Sequence, residues 1–200
     1  SSPHYKRTKN FTSFESLASC INDGGRLAKG SSSTPASTQK KSSYSRKMFG
    51  HGWADSNKDC QNSRMETLIT YSLSPVRFKT DKSCMVISGK WVSPFTGNTI
   101  YTASDIDIDH VVALKWAWIH GAKDWTKSKR VKFANDPANL ISVEARLNRQ
   151  KGAKGLNEWL PPTNQCQYIA RFLRVYKTYK LELNSKEKGI FDKIRKQYCG

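Results

Sequence analysis

The fold of this chain is decided by residues 104–112, which read SDIDIDHVV. Aspartate alternates with isoleucine here, and such alternation predicts a β-strand with one buried and one polar face. Asp105, Asp107 and Asp109 would share the polar face. His110 would point the opposite way unless the strand ends there. A strand that ends in Asp109-His110 therefore sets a carboxylate beside an imidazole and aims the two side chains differently.

A second stretch, residues 133–152, reads FANDPANLISVEARLNRQKG. Residues 139–143 are mostly apolar and follow an Asp-Pro turn, which predicts a short strand. Residues 144–151 are rich in good helix formers and predict a helix. Two strands and a helix in this order can hold one divalent cation between Asp109 and Asn148.

These motifs resemble a known family. The Asp-His pair, then Asn139, then Asn148 are similar in order to an HNH (ββα-metal) endonuclease. From about Phe49 to Cys199 the sequence resembles the secreted bacterial HNH nucleases of the GmrSD C-terminal type. The stretches that carry the likeness are DIDHVV at 107–112, FANDPANL at 133–140, WLPP at 159–162, Trp53, DCQN at 59–62, Arg64, Cys84, GKW at 89–91 and PFTG at 94–97. One departure is that the third motif position is Asn148 rather than histidine, a variant that suits a Mg²⁺-type site.

The resemblance implies the following catalytic roles. Asn139 would orient the catalytic loop, and His110 would be the general base, a role that an imidazole titrating at about pH 6.5 can fill. Asp109 and Asn148 would be the metal ligands, and their hard oxygens suit Mg²⁺ or Mn²⁺. Asp107 lies on the same strand face and is either a partner of these ligands or an additional one. No small-molecule cofactor is expected.

The net charge of +18 comes from 34 basic and 16 acidic residues. Such a charge favours a polyanionic partner, which is a nucleic acid, an anionic surface or a glycan, over the alternative of a merely solvated basic surface. The expected substrate-binding residues are Arg64, Arg130, Arg149 and Lys151. For Arg64, holding a carboxylate is an equal alternative to binding phosphate.

The five cysteines include no Cys-x-x-Cys pair, which argues against a zinc ribbon or a redox motif. Widely spaced cysteines in a basic, tryptophan-rich chain indicate an oxidising compartment, so we expect a secreted or periplasmic protein. We expect disulfides Cys60–Cys84 and Cys166–Cys199, each stabilising by about 2–4 kcal/mol. Sequence alone leaves the connectivity open, with Cys20 either free or paired between chains. The alternative is a cytosolic protein with every cysteine reduced.

The expected fold class is α+β, with a ββα-metal finger embedded in a mainly helical single domain that has short antiparallel hairpins. Residues 1–48 would form an N-terminal helix and a Ser/Lys-rich loop flanking the nuclease domain at 49–200. Thr12 with Glu15 predicts the capping box of that helix, and Gly89-Lys90 predicts a two-residue hairpin turn. No run of about 18 apolar residues exists, so no membrane span is predicted. Any signal peptide would already have been removed, and we expect a monomer.

The sequence therefore predicts a metal-dependent endonuclease with little sequence preference that acts on DNA, with RNA as an alternative substrate. The lack of preference is inferred from the absence of an obvious recognition module. Three alternatives stay open: a sequence- or modification-specific HNH nuclease, a non-catalytic cationic nucleic-acid-binding protein, and a toxin nuclease with an immunity partner.

Overall fold

A computed structural model describes residues 43–200. Nearly all of the 1–48 segment lies outside the described residues. This part includes Cys20 and the expected helix with its capping box at Thr12 and Glu15. The strands are β1 (Arg77–Phe78), β2 (Val86–Val92), β3 (Thr99–Thr102), β4 (Ile106–His110) and β5 (Leu140–Glu144). The helices are α1 (Ser63–Tyr71), α2 (Leu114–Ile119), α3 (Lys127–Ala134), α4 (Ala145–Lys151), α5 (Gln165–Thr178) and α6 (Ser185–Cys199). The small antiparallel sheets and the helices confirm the expected α+β class.

Strands β1, β2 and β3 form an antiparallel sheet in that order. The expected hairpin turn at Gly89-Lys90 was wrong, because both residues lie inside β2, at an irregularity of its pairing with β3. Lys90 bonds through its backbone to Ser72 Oγ and to the Leu73 N–H just after α1. A Cβ on Gly89 would lie 2.8 Å from Ser72 Oγ and from the Trp91 ring. Glycine is needed here because of this close packing, and the turn into β3 comes later, at residues 93–98.

Strands β4 and β5 form a separate antiparallel pair, with Asp109 opposite Ile141 and His110 opposite Leu140. Helix α4 follows β5 directly and packs on both strands. It ends at Gly152, whose φ of +55° is a conformation that glycine adopts readily. The predicted order of strand, strand and helix is therefore present.

The main core is aromatic and joins α2, α3, α5 and α6. The ring of Trp116 meets Phe172 edge-on and stacks with Phe191. Both expected disulfides are present, Cys60–Cys84 and Cys166–Cys199, and the second ties the end of α6 to the start of α5. None of the helices within residues 43–200 combines the length and the apolarity that crossing a membrane requires.

Candidate active site

Three of the four expected catalytic residues line one cavity of about 320 Å³. Asp109 and His110 reach it from the end of β4, and Asn148 reaches it from α4. The pairing of β4 with β5 and the packing of α4 on both strands bring together residues that are nearly forty positions apart in sequence. The fourth, Asn139, does not line the cavity and lies buried below it in the turn that precedes β5.

The His110 ring has one nitrogen bound and the other available. Its Nε2 lies 2.8 Å from the carbonyl oxygen of Ala134, in the last turn of α3. Because a carbonyl only accepts hydrogen bonds, Nε2 carries the proton and donates. In the neutral ring, the lone pair is then on Nδ1. This carbonyl is among the last four of the helix, which have no partner within it.

The surroundings of His110 keep the ring neutral. The pKa of His110 is lowered from 6.5 to about 3, mainly by burial and to a smaller extent by the nearby charges of Arg46 and Lys151, while the Ala134 hydrogen bond opposes the shift. The Trp53 ring stacks on the imidazole, with the centroids 5.3 Å apart and the planes 8° from parallel. A neutral, oriented imidazole with a free lone pair is suited to take a proton from water.

Lys151 is part of the protein interior, which corrects the expectation that it binds phosphate. Its side chain is 0% exposed, and Nζ donates to Asp109 Oδ1 at 2.8 Å and to the His110 carbonyl at 2.7 Å. Burial raises the pKa of the Asp109 carboxyl, while the Lys151 ammonium opposes that rise. Asp109 Oδ2 is buried and finds no hydrogen-bond partner among the described residues.

Asn148 is oriented by a second carboxylate. Its Nδ2 donates to Asp107 Oδ2 at 3.0 Å, which leaves Oδ1 as the acceptor of the amide. Of the two roles considered for Asp107, this contact supports the one in which Asp107 positions a ligand. The cavity is thus lined by two residues with a hard oxygen that the described chain does not use, Asp109 Oδ2 and Asn148 Oδ1.

Asn139 fixes the loop that follows His110 through hydrogen bonds. Its side chain is fully buried, with Oδ1 accepting from the Val112 N–H at 2.8 Å and Nδ2 donating to the Val112 carbonyl at 3.3 Å. Its own carbonyl accepts from the Val111 N–H at 2.9 Å. These contacts fit the loop-orienting role that the resemblance implies for this residue.

Replacing Asn139 with alanine should lower the free energy of unfolding by about 1–3 kcal/mol, because the buried Val112 N–H and carbonyl would lose their partner. Urea denaturation measures the loss. The exposed Asn157 is the control, and its change to alanine should cost less than about 0.5 kcal/mol. Equal stability of the two variants would contradict the proposed role of the buried Asn139 side chain in holding the loop.

Two of the expected substrate-binding arginines serve the fold instead. Arg130 is only 8% exposed, so its expected contact with substrate is corrected: its guanidinium donates to the carbonyls of Met48, Ala122, Lys123 and Trp125. Arg64 donates from Nη2 to the carbonyls of Ala103 and Ile106, where the chain enters β4. The Asp107 carboxylate also interacts with the Arg64 charge, which favours the carboxylate alternative for this residue over the phosphate one.

Arg149 is exposed on α4, as a residue that binds substrate needs to be. Arg46 was missed by the sequence analysis, although it is exposed and lines the same cavity as Asp109. It precedes His110 by 64 residues in a stretch rich in serine and lysine, where nothing distinguishes one basic residue from the next.

The cavity residues fit a hard divalent cation. Within residues 43–200, no group of three or more His, Cys, Asp or Glu side chains is placed to hold a metal ion. Mg²⁺ commonly takes one or two protein oxygens and keeps several waters. The unpartnered Asp109 Oδ2 and the Asn148 amide oxygen match that demand.

Comparisons with known proteins agree with the resemblance. The family model described as the C-terminal domain of GmrSD restriction endonucleases matches residues 58–191. An uncharacterized secreted protein of Arthroderma benhamiae is 42% identical over 150 residues, covering 73% of this chain and 71% of that protein. No solved structure matches. The secreted relative and the two disulfides confirm the expected secreted location.

Proposed function

The chain belongs to the family of GmrSD restriction endonuclease C-terminal domains, and from this membership we propose that it is a metal-dependent HNH endonuclease. Its substrate is DNA, cleaved with little sequence preference. The observation that carries the proposal is one cavity lined by His110, with Nδ1 unprotonated, and by Asp109 and Asn148, each with an unused oxygen. These are a base and two hard ligands.

His110 acts as the general base in this proposal. Nδ1 takes a proton from a water molecule as the water oxygen attacks phosphorus. The bond from phosphorus to the leaving oxygen breaks, and that oxygen takes a proton from solvent water to become a hydroxyl. The proton on Nε2 stays directed at the Ala134 carbonyl, whose dipole stabilises the imidazolium that forms. Stacking against Trp53 holds the ring plane during the transfer.

Asp109 and Asn148 would hold the cation, Asp109 through Oδ2 and Asn148 through Oδ1. A bound Mg²⁺ or Mn²⁺ would supply charge relief at the phosphate and at the leaving oxygen. Asp107 keeps the Asn148 amide turned so that its oxygen is free. Lys151 donates a hydrogen bond to Asp109 Oδ1. Its ammonium favours the charged form of the Asp109 carboxyl, whereas burial favours the neutral acid.

The test is cleavage of two unrelated supercoiled plasmids by metal-stripped protein, with Mg²⁺, with Mn²⁺ or with EDTA. We expect nicking and then short fragments of both plasmids with either ion, and no cleavage in EDTA, because the charge relief that the metal would supply at the leaving oxygen is then lost. Discrete fragments would favour the sequence- or modification-specific nuclease. Retained binding without cleavage in any divalent metal would favour the cationic binding protein.

A further inference from the structure

The active-site cavity is the middle one of three neighbouring cavities. It shares Arg46, His110 and Leu114 with a cavity of about 430 Å³ on one side. On the other side it shares Lys115, Gly152 and Ala153 with a cavity of about 510 Å³. Because the middle cavity shares lining residues with each of the other two, the three lie side by side, and His110 and Asp109 line the middle one. We call this row of three cavities the furrow.

The furrow is strongly basic. Five exposed cationic side chains line it: Arg46, Lys47, Lys115, Arg149 and Lys154. Among the described residues, Asp109 is the only carboxylate that lines the first two cavities. The third cavity has the exposed Glu158, which accepts from the Gly155 N–H, and the half-buried Glu187, which contacts His120. The five exposed cations therefore outnumber the carboxylates along the furrow.

We propose that the furrow binds the sugar-phosphate backbone of one nucleic-acid strand on both sides of the scissile phosphate. Arg46 and Lys47 contact phosphates on one side, and Lys115, Arg149 and Lys154 contact them on the other. This inference rests on the proposed function and adds to it the path of the substrate. Arg46 and Lys115 both line the active-site cavity itself, so these two cations flank the scissile phosphate.

Two observations favour a nucleic-acid strand as the occupant. The cationic residues follow a concave path through the catalytic cavity, which a flat anionic surface cannot enter. The basic residues that would be alternative phosphate ligands are occupied, since Arg130 and Lys151 are buried among protein acceptors. Proteins usually bind a phosphate backbone through exposed cations that are spaced along a groove.

The experiment measures binding of a short DNA duplex by fluorescence anisotropy over a range of salt concentrations, in EDTA and in the His110→Ala background. The test variant is Lys115→Ser/Arg149→Ser/Lys154→Ser. The control variant, Lys193→Ser/Arg195→Ser/Lys196→Ser, removes the same charges from exposed positions of α6 that do not line the furrow. Unchanged urea midpoints would show that both variants fold.

The slope of log affinity against log salt is negative, and each lost phosphate contact should reduce its magnitude by about 0.9. The slope of the test variant should therefore be shallower by about 2–3 than that of the parent protein. Its affinity at 100 mM salt should fall at least about tenfold, while the control stays within about threefold. Equal weakening of the two variants, or no weakening of the test variant, would overturn the furrow proposal.

The outcome separates this inference from the proposed function. If the wild-type protein cleaves plasmid but the two triple variants bind alike, the furrow is not the substrate path and the nuclease proposal stands. If the wild-type protein does not cleave, yet only the furrow variant loses affinity, the nuclease proposal fails and the furrow is a binding groove.

Discussion

Replacing His110 with alanine should slow phosphodiester cleavage by about 10²- to 10⁴-fold, the usual contribution of a general base. DNA affinity should stay within about twofold, because the buried ring is not one of the exposed cations that bind phosphate. The physical reason is the hydrogen bond from Nε2 to Ala134, which leaves Nδ1 as the basic atom beside Asp109 and Asn148. Single-turnover cleavage of a labelled duplex with Mg²⁺ measures the rate.

His51 is the matched control for this experiment. It is an exposed histidine that lines one of the two cavities next to the active-site cavity. His51→Ala should change the rate by less than about threefold, because no contact places this side chain beside Asp109 or Asn148. If His51→Ala slows cleavage as much as His110→Ala does, or if His110→Ala retains the wild-type rate, His110 is not the base.

The central unit was predictable because its signals are local. Alternation of aspartate and isoleucine indicated β4, and the run of helix formers before Gly152 indicated α4. Their order along the chain was enough to expect Asp109 close to Asn148. The prediction of a hairpin turn at Gly89 failed because the requirement for glycine there comes from tertiary packing. A glycine required by the close approach of Ser72 and Trp91 looks, in sequence, like a glycine required by a turn.

The basic residues show where sequence reasoning stops. Lys151 follows Asn148 by three residues, a spacing that places both on one side of α4 but carries no information on burial. At 0% exposure, Lys151 contacts a carboxylate instead of phosphate. Arg130 was expected at the substrate for its charge alone, yet its partners are four carbonyls that the fold assembles. Arg46 reaches the site only through tertiary packing, which no local pattern encodes.

Replacing Lys151 with methionine should lower the free energy of unfolding by about 3–5 kcal/mol, because breaking a buried ion pair from one side leaves an uncompensated buried charge. Asp109 Oδ1 and the His110 carbonyl would both lose their donor, next to an Asp109 Oδ2 that already has no partner among the described residues. A typical domain has about 5–15 kcal/mol of stability, so this is a large fraction of it. Urea denaturation in EDTA measures the effect without any contribution from bound metal.

The exposed Lys154 on the same segment is the control, and Lys154→Met should change stability by less than about 0.5 kcal/mol. The double variant Asp109→Asn/Lys151→Met should be more stable than Lys151→Met alone, because it removes the stranded carboxylate together with its partner. If Lys151→Met were as stable as Lys154→Met and instead weakened DNA binding, the ammonium would be accessible to phosphate. The distinction matters for catalysis, since a lysine that holds Asp109 charged prepares a cation site, whereas one that binds phosphate acts on the substrate directly.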